Sequence, residues 1–290
     1  MNPNFFIVGG SKCGTTNISH YLNEHPDVFI SKLNEPYYFS RFDIPKDFVR
    51  ESMVTNFEKY LDLFKDAENH KAVGEASSVY LSAPNAASEI KKAFPNSKII
   101  ISIRNPIERA HSSYFSYQFM HHKKETFSEM IELHEKQIKK NEFFIYNILE
   151  PGFYTKHIKR FQEIFEPEKI KIIIFEDYIK NTNESINSIF SFLGIDKKND
   201  LVEQSKGAYR VPKNNFSGKL LKNSTFRKLT TKLVPTVSRQ KIGDRFLLKQ
   251  TKKPEMLETE RTRLKEVYKD EFTRLQKLLN IKLPWKDFIE

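Results

Sequence analysis

Residues 5–16 read FFIVGGSKCGTT. An apolar run leads into two glycines, a lysine, a third glycine and two threonines, and residues 17–23 then carry apolar side chains at helical spacing. A strand, a tight glycine loop and a helix form the arrangement that cradles phosphate, because glycine lets backbone N–H groups converge on an anion. The helix N-terminus adds its positive dipole end. The stretch therefore predicts an anion site at the end of the first strand.

The loop differs from that of nucleoside triphosphatases in the position of its lysine. Counted from Gly9, the pattern G-x-x-x-x-G-K-[ST] requires a lysine after Gly14, where Thr15 stands instead. The lysine lies inside the loop, at Lys12. Taken by itself, the motif is equally compatible with a glycine turn that carries a solvated lysine.

The composition indicates a folded globular protein. The chain has 290 residues, 13% of them aromatic, and can bury a full core. Cys13 is the only cysteine, which excludes an internal disulfide and a cysteine-based zinc site and fits a reducing compartment. Residues 1–4 do not resemble a signal peptide, and no apolar run approaches membrane-spanning length. We therefore expect a cytoplasmic location and no membrane span.

The chain is strongly basic, with a net charge of +11. A solvated basic surface is the simplest interpretation, and attraction of anionic cofactors, polysaccharides or nucleic acid is the functional one. Residues 206–253 hold many Lys and Arg residues and few acidic ones. We expect this segment to face a polyanion and to be the most mobile part of the chain.

Apolar runs and amphipathic stretches alternate along the rest of the chain, which is typical of α/β proteins. Predicted strands cover residues 28–30, 97–103 and 169–175, and the last two are apolar runs of the kind buried on both faces of a sheet. Residues 71–81 indicate a strand that ends in a polar loop. Predicted helices cover residues 48–65, 84–94, 183–193, a segment that opens near Pro106 and an apolar stripe from Leu264 to Leu279. The predicted fold class is α/β, with a mostly parallel sheet flanked by helices in a single domain over residues 1–290.

A second candidate phosphate site directly follows the apolar run 97–103. Residues 104–114 read RNPIERAHSSY, and a helix that opens near Pro106 places Arg104 at the carboxyl end of a central strand. Ligands bind at that edge in open α/β sheets. Ser112 lies two helical turns further on, and an arginine and a hydroxyl that converge there can clamp a second phosphate.

Together, residues 10–16 and 103–114 resemble the two nucleotide signatures of sulfotransferases that use 3′-phosphoadenosine 5′-phosphosulfate (PAPS). In that family the first loop holds the 5′-phosphosulfate, and an R-x-P-x-x-R-x-x-S segment holds the 3′-phosphate. Arg104 and Ser112 have the spacing of its Arg and Ser. The resemblance implies PAPS as co-substrate, 3′-phosphoadenosine 5′-phosphate (PAP) as product and a P-loop-kinase-like sulfotransferase fold. It also implies nucleotide contacts from Ser11, Lys12, Cys13, Gly14, Thr15 and Thr16.

Three further segments are similar to carbohydrate-type members of the family, such as heparan-sulfate sulfotransferases. Residues 34–39 (NEPYYF) are similar to the segment that supplies their catalytic glutamate. Residues 74–81 (GEASSVYL) are similar to their E-K-T-P-x-Y segment, but Ala76 stands where several relatives carry a lysine that assists catalysis. Residues 205–210 (SKGAYR) resemble the family's late K-G-x-Y loop, which closes over the nucleotide, and a plain basic loop is the alternative. The resemblance implies nucleotide contacts from Lys206, Gly207, Tyr209 and Arg210.

The resemblance and the chemistry of sulfonate transfer assign roles to two residues. The acceptor attacks sulfur, and the leaving group is the bridging oxygen of a nucleotide phosphate, so a positioned cation lowers the barrier. We expect Lys12 to stabilise that oxygen and Glu35 to act as the general base. A surface glutamate before the turn at Pro36 is the alternative interpretation of Glu35. His111 and Glu75 are the other candidate bases.

The predicted function is transfer of a sulfonate group from PAPS to a hydroxyl or amino group of an acceptor. The resemblance implies that the acceptor is a saccharide, and a small molecule is the alternative. The basic charge of the chain suits an anionic acceptor. We expect no metal, because the loop lacks the lysine-then-hydroxyl order that ligates Mg²⁺, and no nucleic-acid partner, because no RRM or KH signature is present. A P-loop kinase or NTPase and a non-enzymatic polyanion-binding protein are the alternative functions. O- versus N-sulfation and the oligomeric state stay open.

Overall fold

The computed structural model describes residues 1–44, 53–121, 125–138, 147–198, 200–201, 210–214, 217 and 247–289, with backbone alone at 119–121, 210–212, 248 and 250. The chain divides into two compact units, one of residues 1–115, 125–204 and 258–290 and the other of residues 116–124 and 205–257. The single domain over the whole chain stays a prediction.

A five-stranded sheet forms the centre of the first unit, and the α/β fold class is confirmed. The strands lie in the order β2-β3-β1-β4-β5, and every described pairing between them is parallel. All five residues of β1 are buried, because β1 has a neighbouring strand on each side. The strands are β1 (Phe5–Gly9), β2 (Val28–Ile30), β3 (Ala72–Ala76), β4 (Lys98–Ile103) and β5 (Ile170–Ile174).

Helices cover both faces of this sheet, as the alternation of strand side chains requires. Phe6 and Val8 of β1 belong to one hydrophobic cluster, and Phe5 and Ile7 belong to the other. The described helices are α1 (Thr15–Leu22), α2 (Phe57–Leu61), α3 (Ala86–Ala93), α4 (Pro106–His121), α5 (Phe127–Ile138), α6 (Tyr154–Gln162), α7 (Phe175–Lys180), α8 (Thr182–Leu193) and α9 (Glu258–Leu279). The first cluster takes side chains from α3, α6 and α9, and the second takes them from α1 and α8.

Two of the predicted elements are wrong in part. The helix predicted over residues 48–65 begins only at Phe57, because the Asn56 side chain accepts a hydrogen bond from the Lys59 N–H at 2.9 Å and caps the helix there. Residues 53–56 are not helical, and residues 45–52 lie outside the described part of the chain. The strand predicted over residues 169–175 is not buried on both faces. It is β5, at the edge of the sheet, where Ile173 is the one buried residue, and Phe175 already begins a helix.

The second unit is described mainly by one antiparallel pair of strands, β6 (Arg210–Pro212) and β7 (Leu248–Gln250). Most of the basic segment 206–253 therefore lies outside the described residues. Within the described ranges, no helix has both the length and the apolar character needed to cross a membrane.

Candidate active site

The loop between β1 and α1 is fixed by contacts with the neighbouring strand β4. The Gly10 N–H donates to the Ser102 carbonyl, and the Ser102 hydroxyl donates to the Cys13 carbonyl at 2.7 Å. Gly14 precedes α1 with a φ of +83°, and a Cβ atom there would lie 2.9 Å from the Phe175 ring. Glycine is therefore required at residue 14 both by the backbone conformation and by the space. The helix that follows begins at Thr15, as the phosphate-cradle interpretation requires.

Arg104 lies beside this loop, because it follows β4 and β4 pairs with β1. Its Nη1 atom donates to the Lys12 carbonyl at 3.2 Å, and its guanidinium carbon lies 4.6 Å from the centre of the Phe175 ring. The fully buried Tyr154 connects the two segments. Its hydroxyl donates to the Arg104 carbonyl at 2.8 Å, accepts from the Arg104 N–H at 3.2 Å, and lies 3.5 Å from the Cys13 sulfur. The two predicted phosphate segments thus form one site at the carboxyl edge of the sheet.

The start of α4 is held by a network that links it to the C-terminal residues. The Asn105 side chain accepts from the Ile107 N–H at 3.0 Å and donates to Asp287 at 2.7 Å. The Asn105 N–H donates to the Glu176 carboxylate at 2.9 Å, and the other oxygen of that carboxylate accepts from the Trp285 ring N–H. This network fixes the helix that carries Ser112, which is partly exposed.

Arg109, the second arginine of the R-x-P-x-x-R-x-x-S segment, is completely buried. Its guanidinium donates to the Ile148 carbonyl and to the Ser113 hydroxyl. A guanidinium enclosed in this way binds the protein's own backbone, so Arg109 supports the segment rather than offering its charge to a ligand.

Glu35 lies at the same edge of the sheet, beyond the end of β3. Its backbone has a left-handed φ of +56°, and its N–H donates to the Ala76 carbonyl at 3.2 Å. Both carboxylate oxygens accept from Ser78, one from the N–H at 2.9 Å and the other from the hydroxyl at 2.7 Å. Glu35 is partly exposed, and Ser78 holds its carboxylate through both oxygens.

The charge of Lys12 interacts with the charges of Arg104 and Glu35. Burial lowers the pKa of Lys12, the positive charge of Arg104 lowers it further, and the negative charge of Glu35 opposes both. The catalytic roles of Lys12 and Glu35 stay predictions.

The two alternative bases have different surroundings. Glu75 is completely buried and accepts hydrogen bonds from the hydroxyls of Ser77 (2.8 Å), Tyr80 (2.8 Å) and Tyr60 (3.3 Å). Ser77 and Tyr80 in turn accept backbone N–H groups of the 37–39 segment, so Glu75 supports the loop that carries Glu35. His111 is 5% exposed and packs against Phe115 and Phe127 with ring centroids 5.0 Å apart.

Burial also changes the pKa of two groups near the site. It raises the pKa of Glu75 to about 7, although the hydrogen bonds from Ser77 and Tyr80 oppose the shift, and the negative charge of Glu35 adds to it. It raises the pKa of the Cys13 thiol to about 11. Cys13 is fully buried, and its side chain contacts the Tyr154 hydroxyl. A nucleotide contact from this residue would therefore come from its backbone.

The structure brings together most of the predicted site and adds three residues to it. The loop residues 11–16, Arg104 and Glu35 meet at one edge of the sheet, whereas Lys206, Gly207 and Tyr209 lie outside the described residues and Arg210 is described in its backbone only. Sequence reasoning missed Ser78, Tyr154 and Phe175. Ser78 could have been found, because it lies in the polar end of the stretch 71–81, whereas the other two act across the chain and leave no local pattern.

No cluster of three or more His, Cys, Asp or Glu side chains suited to a metal ion occurs within the described ranges. The expectation of a metal-free reaction stays a prediction.

A parallel α/β sheet with a glycine loop, an arginine and a carboxylate at its carboxyl edge has these groups where open α/β sheets bind their ligands. The chain belongs to the sulfotransferase domain family, whose pattern it matches over residues 2–278. The resemblance predicted from the two nucleotide signatures is therefore confirmed.

Several curated relatives share part of this domain. The membrane-associated sulfotransferase kil1 of Dictyostelium discoideum is 32% identical over 119 residues, which cover 41% of this chain and 24% of that protein. Human carbohydrate sulfotransferase 15 is 25% identical over 248 residues, covering 67% of this chain and 44% of that protein. The human bifunctional heparan sulfate N-deacetylase/N-sulfotransferase 2 is 28% identical over 199 residues, covering 67% of this chain and 22% of that protein. The chain thus spans less than half the length of each of these relatives.

A solved structure supports the assignment over nearly the whole chain. A sulfotransferase from Alicyclobacillus acidocaldarius is 26% identical, covers 98% of both chains and has a TM-score of 0.75. A sulfotransferase domain from the curacin biosynthetic pathway shares the fold at 16% identity, with a TM-score of 0.51 and coverage of 71% of this chain and 79% of that one. The predicted sulfotransferase fold is confirmed.

The raised pKa of Glu75 predicts that stability depends on pH. The ordinary value is 4.5 and the folded value is about 7, so between these limits the folded state keeps a proton that the unfolded state loses. This contribution to stability is complete below about pH 4.5 and is lost as the pH rises through about 7. We expect the free energy of unfolding of the wild type to fall over this range relative to that of Glu75→Gln, which cannot ionise there.

Urea unfolding of the two proteins at closely spaced pH values measures this difference, in which the other titrating groups cancel. A difference that is constant from pH 4.5 to pH 8 would contradict the assignment.

Proposed function

We propose that this chain transfers a sulfonate group from PAPS to a hydroxyl or amino group of a saccharide. The observation that carries the proposal is the meeting of Lys12, Arg104 and Glu35 at one sheet edge, where the first two share a hydrogen bond and all three are electrostatically coupled. Membership in the sulfotransferase domain family supports the reaction class. A phosphate clamp alone needs no carboxylate, whereas transfer to an acceptor needs a group that takes a proton.

The nucleotide is proposed to bind across the two loops. The backbone of residues 10–14, the hydroxyls of Thr15 and Thr16 and the N-terminus of α1 surround the 5′-phosphosulfate. Arg104 and Ser112 bind the 3′-phosphate, with the guanidinium held in place by the Phe175 ring and the Lys12 carbonyl. The contacts predicted from Lys206, Gly207, Tyr209 and Arg210 stay part of the proposal.

PAPS supplies the activated sulfonate, and residues of the chain stabilise the leaving group and accept the proton. The acceptor atom forms its bond to sulfur while the bond from sulfur to the phosphate oxygen breaks, and that electron pair leaves with PAP. Lys12 stabilises the negative charge on the leaving oxygen. Glu35 accepts the proton that the acceptor loses. Their opposite charges favour this division of roles.

A saccharide acceptor is proposed from the names of two relatives, a carbohydrate sulfotransferase and a heparan sulfate N-sulfotransferase. The net charge of +11 suits an anionic saccharide. The predicted cytoplasmic location and the absence of a nucleic-acid partner stay predictions. A P-loop kinase is the remaining second candidate, and the nucleotide and metal experiments below distinguish it.

The proposed nucleotide site predicts a strong preference for PAP over ADP and AMP in titration calorimetry. Arg104→Ala and Ser112→Ala remove contacts to the 3′-phosphate, and each is expected to weaken PAP binding by about ten- to a hundredfold, since hydrogen bonds to charged groups contribute roughly 1.5–3 kcal/mol. Arg263→Ala is the matched control, because Arg263 is exposed and pairs with Glu135 on the surface. Equal affinity of the wild type for PAP and ADP would reject the PAPS site.

Sulfonate transfer is also expected to need no added metal. The glycine loop lacks the lysine-then-hydroxyl order that ligates Mg²⁺ in NTPases. Turnover with labelled PAPS is therefore expected to be the same in EDTA as in Mg²⁺. Loss of turnover in EDTA and its return with Mg²⁺ alone would favour the kinase interpretation.

The two catalytic roles predict different defects. Glu35→Gln keeps the shape of the side chain but removes the base, so PAP affinity should hold while turnover falls by about 10²–10⁴-fold. Lys12→Ala should lower both, because its charge also meets the 5′-phosphate. Glu132→Gln, at an exposed surface pair with Lys136, serves as the control. Near-normal turnover of Glu35→Gln, together with an inactive His111→Ala or Glu75→Gln, would place the base elsewhere.

A further inference from the structure

Two successive serines at the end of β3 bind two different glutamates. The Ser77 hydroxyl donates to Glu75 at 2.8 Å, and the Ser78 hydroxyl donates to Glu35 at 2.7 Å. The first contact is buried and supports the fold, whereas the second lies at the partly exposed carboxylate of the proposed base. The contact between Ser78 and Glu35 joins two segments of the chain, and the role of Ser78 follows from this geometry.

Ser78 holds both oxygens of one carboxylate. The N–H donates to Oε2 at 2.9 Å and the hydroxyl donates to Oε1, so each oxygen has one donor from the same residue. A carboxylate oxygen has two acceptor directions, and this arrangement uses one on each oxygen. Two donors from one residue, one on each oxygen, fix the plane of the carboxylate.

The backbone of Glu35 shows why such a hold is needed. Its φ of +56° is a conformation that residues other than glycine rarely adopt. A residue in a sparsely populated conformation persists when surrounding contacts determine it, and such residues cluster at active sites. The hydrogen bond from the Glu35 N–H to Ala76 and the two from Ser78 connect the loop to the end of β3 from both its backbone and its side chain.

We propose that Ser78 is a positioning residue that keeps the Glu35 carboxylate ionised and oriented for proton transfer from the acceptor; this inference rests on the proposed function. The acceptor's O–H or N–H bond breaks as its bond to sulfur forms, and the proton passes to an oxygen of the Glu35 carboxylate. Ser78 donates throughout and changes no bond. The proton then leaves Glu35 for solvent before the next cycle.

Lys12 from the glycine loop and Glu75 from β3 are among the charged groups that act on this carboxylate electrostatically. Neither one hydrogen-bonds to the Ser78 hydroxyl in the contacts described above, and both are present in a Ser78 variant. A change in the titration of Glu35 on substitution of Ser78 therefore reports the lost hydroxyl. The backbone N–H of Ser78 is retained in every variant, so the expected change is partial.

The direct test is the titration of Glu35 by ¹³C NMR of the full chain with labelled glutamate, the signal being assigned by its loss in Glu35→Gln. Ser78→Ala removes a donor that stabilises the ionised form, so the titration midpoint should move up by about one pH unit. Ser78→Thr keeps the hydroxyl and should restore the wild-type midpoint. Ser82→Ala is the matched control, because that hydroxyl donates to the Val79 carbonyl and not to a carboxylate. An unchanged midpoint in Ser78→Ala would overturn the inference.

The kinetic test uses PAPS with desulfated heparan sulfate as the acceptor. In Ser78→Ala the acid limb of the kcat profile should move to higher pH by the same amount, and the plateau should fall about three- to tenfold because orientation is lost. The KM for PAPS should hold, and Ser78→Thr should recover the wild-type profile. A Ser78→Ala profile identical to that of the wild type would reject the positioning role.

The two hypotheses fail in different ways. If the Glu35 titration shifts in Ser78→Ala but the wild type transfers no sulfonate, the proposed function is rejected. The contact between Ser78 and Glu35 would then have no catalytic role. Full turnover by the wild type with an unshifted titration in Ser78→Ala would reject only the inference about Ser78.

Discussion

The parallel pairing of β1 with β3 and β4 is the constraint on which the site depends. Parallel neighbouring strands end at the same edge of a sheet. The segments that follow these three strands therefore lie close together as a direct result of the strand pairing. The glycine loop follows β1, Arg104 follows β4, and the end of β3 supplies the residues that hold Glu35. The full burial of β1 ties this arrangement to the core on both faces. The chemistry of the site is therefore supported by the most buried part of the fold.

Much of this arrangement could be predicted from the sequence, because the signals are local. An apolar run followed by glycines gives β1 and its loop, and an arginine directly after another apolar run gives Arg104. The errors arise where tertiary context decides. A capping side chain at Asn56 starts α2 later than the apolar spacing suggests, and an edge position exposes β5 although its residues are mostly isoleucine. The contacts of Tyr154 and Phe175 join residues far apart in the chain, and no local pattern could indicate them.

Backbone conformation adds a signal that only the structure provides. Among the described residues other than glycine, positive φ occurs at Lys12, Glu35, Tyr37 and Asn280. Three of these four belong to the glycine loop or to the loop of the proposed base. Each such conformation costs on the order of 1–3 kcal/mol and must be compensated by its surroundings. The buried carboxylate of Glu75 contributes to that compensation, because the hydroxyls it binds accept backbone N–H groups at Tyr37 and Phe39.

The hydroxyl of Tyr154 has a consequence for the kind of ligand that fits. By contacting Cys13 on one side and the backbone of Arg104 on the other, it sets the separation between the two phosphate segments. Because this contact is buried in the core, that separation cannot adjust to the ligand as two loops on separate hinges could. In the proposed nucleotide site, this fixed separation would favour ligands by length as well as by charge. A molecule whose two anionic groups are too close together, or too far apart, can satisfy one segment only by leaving the other empty.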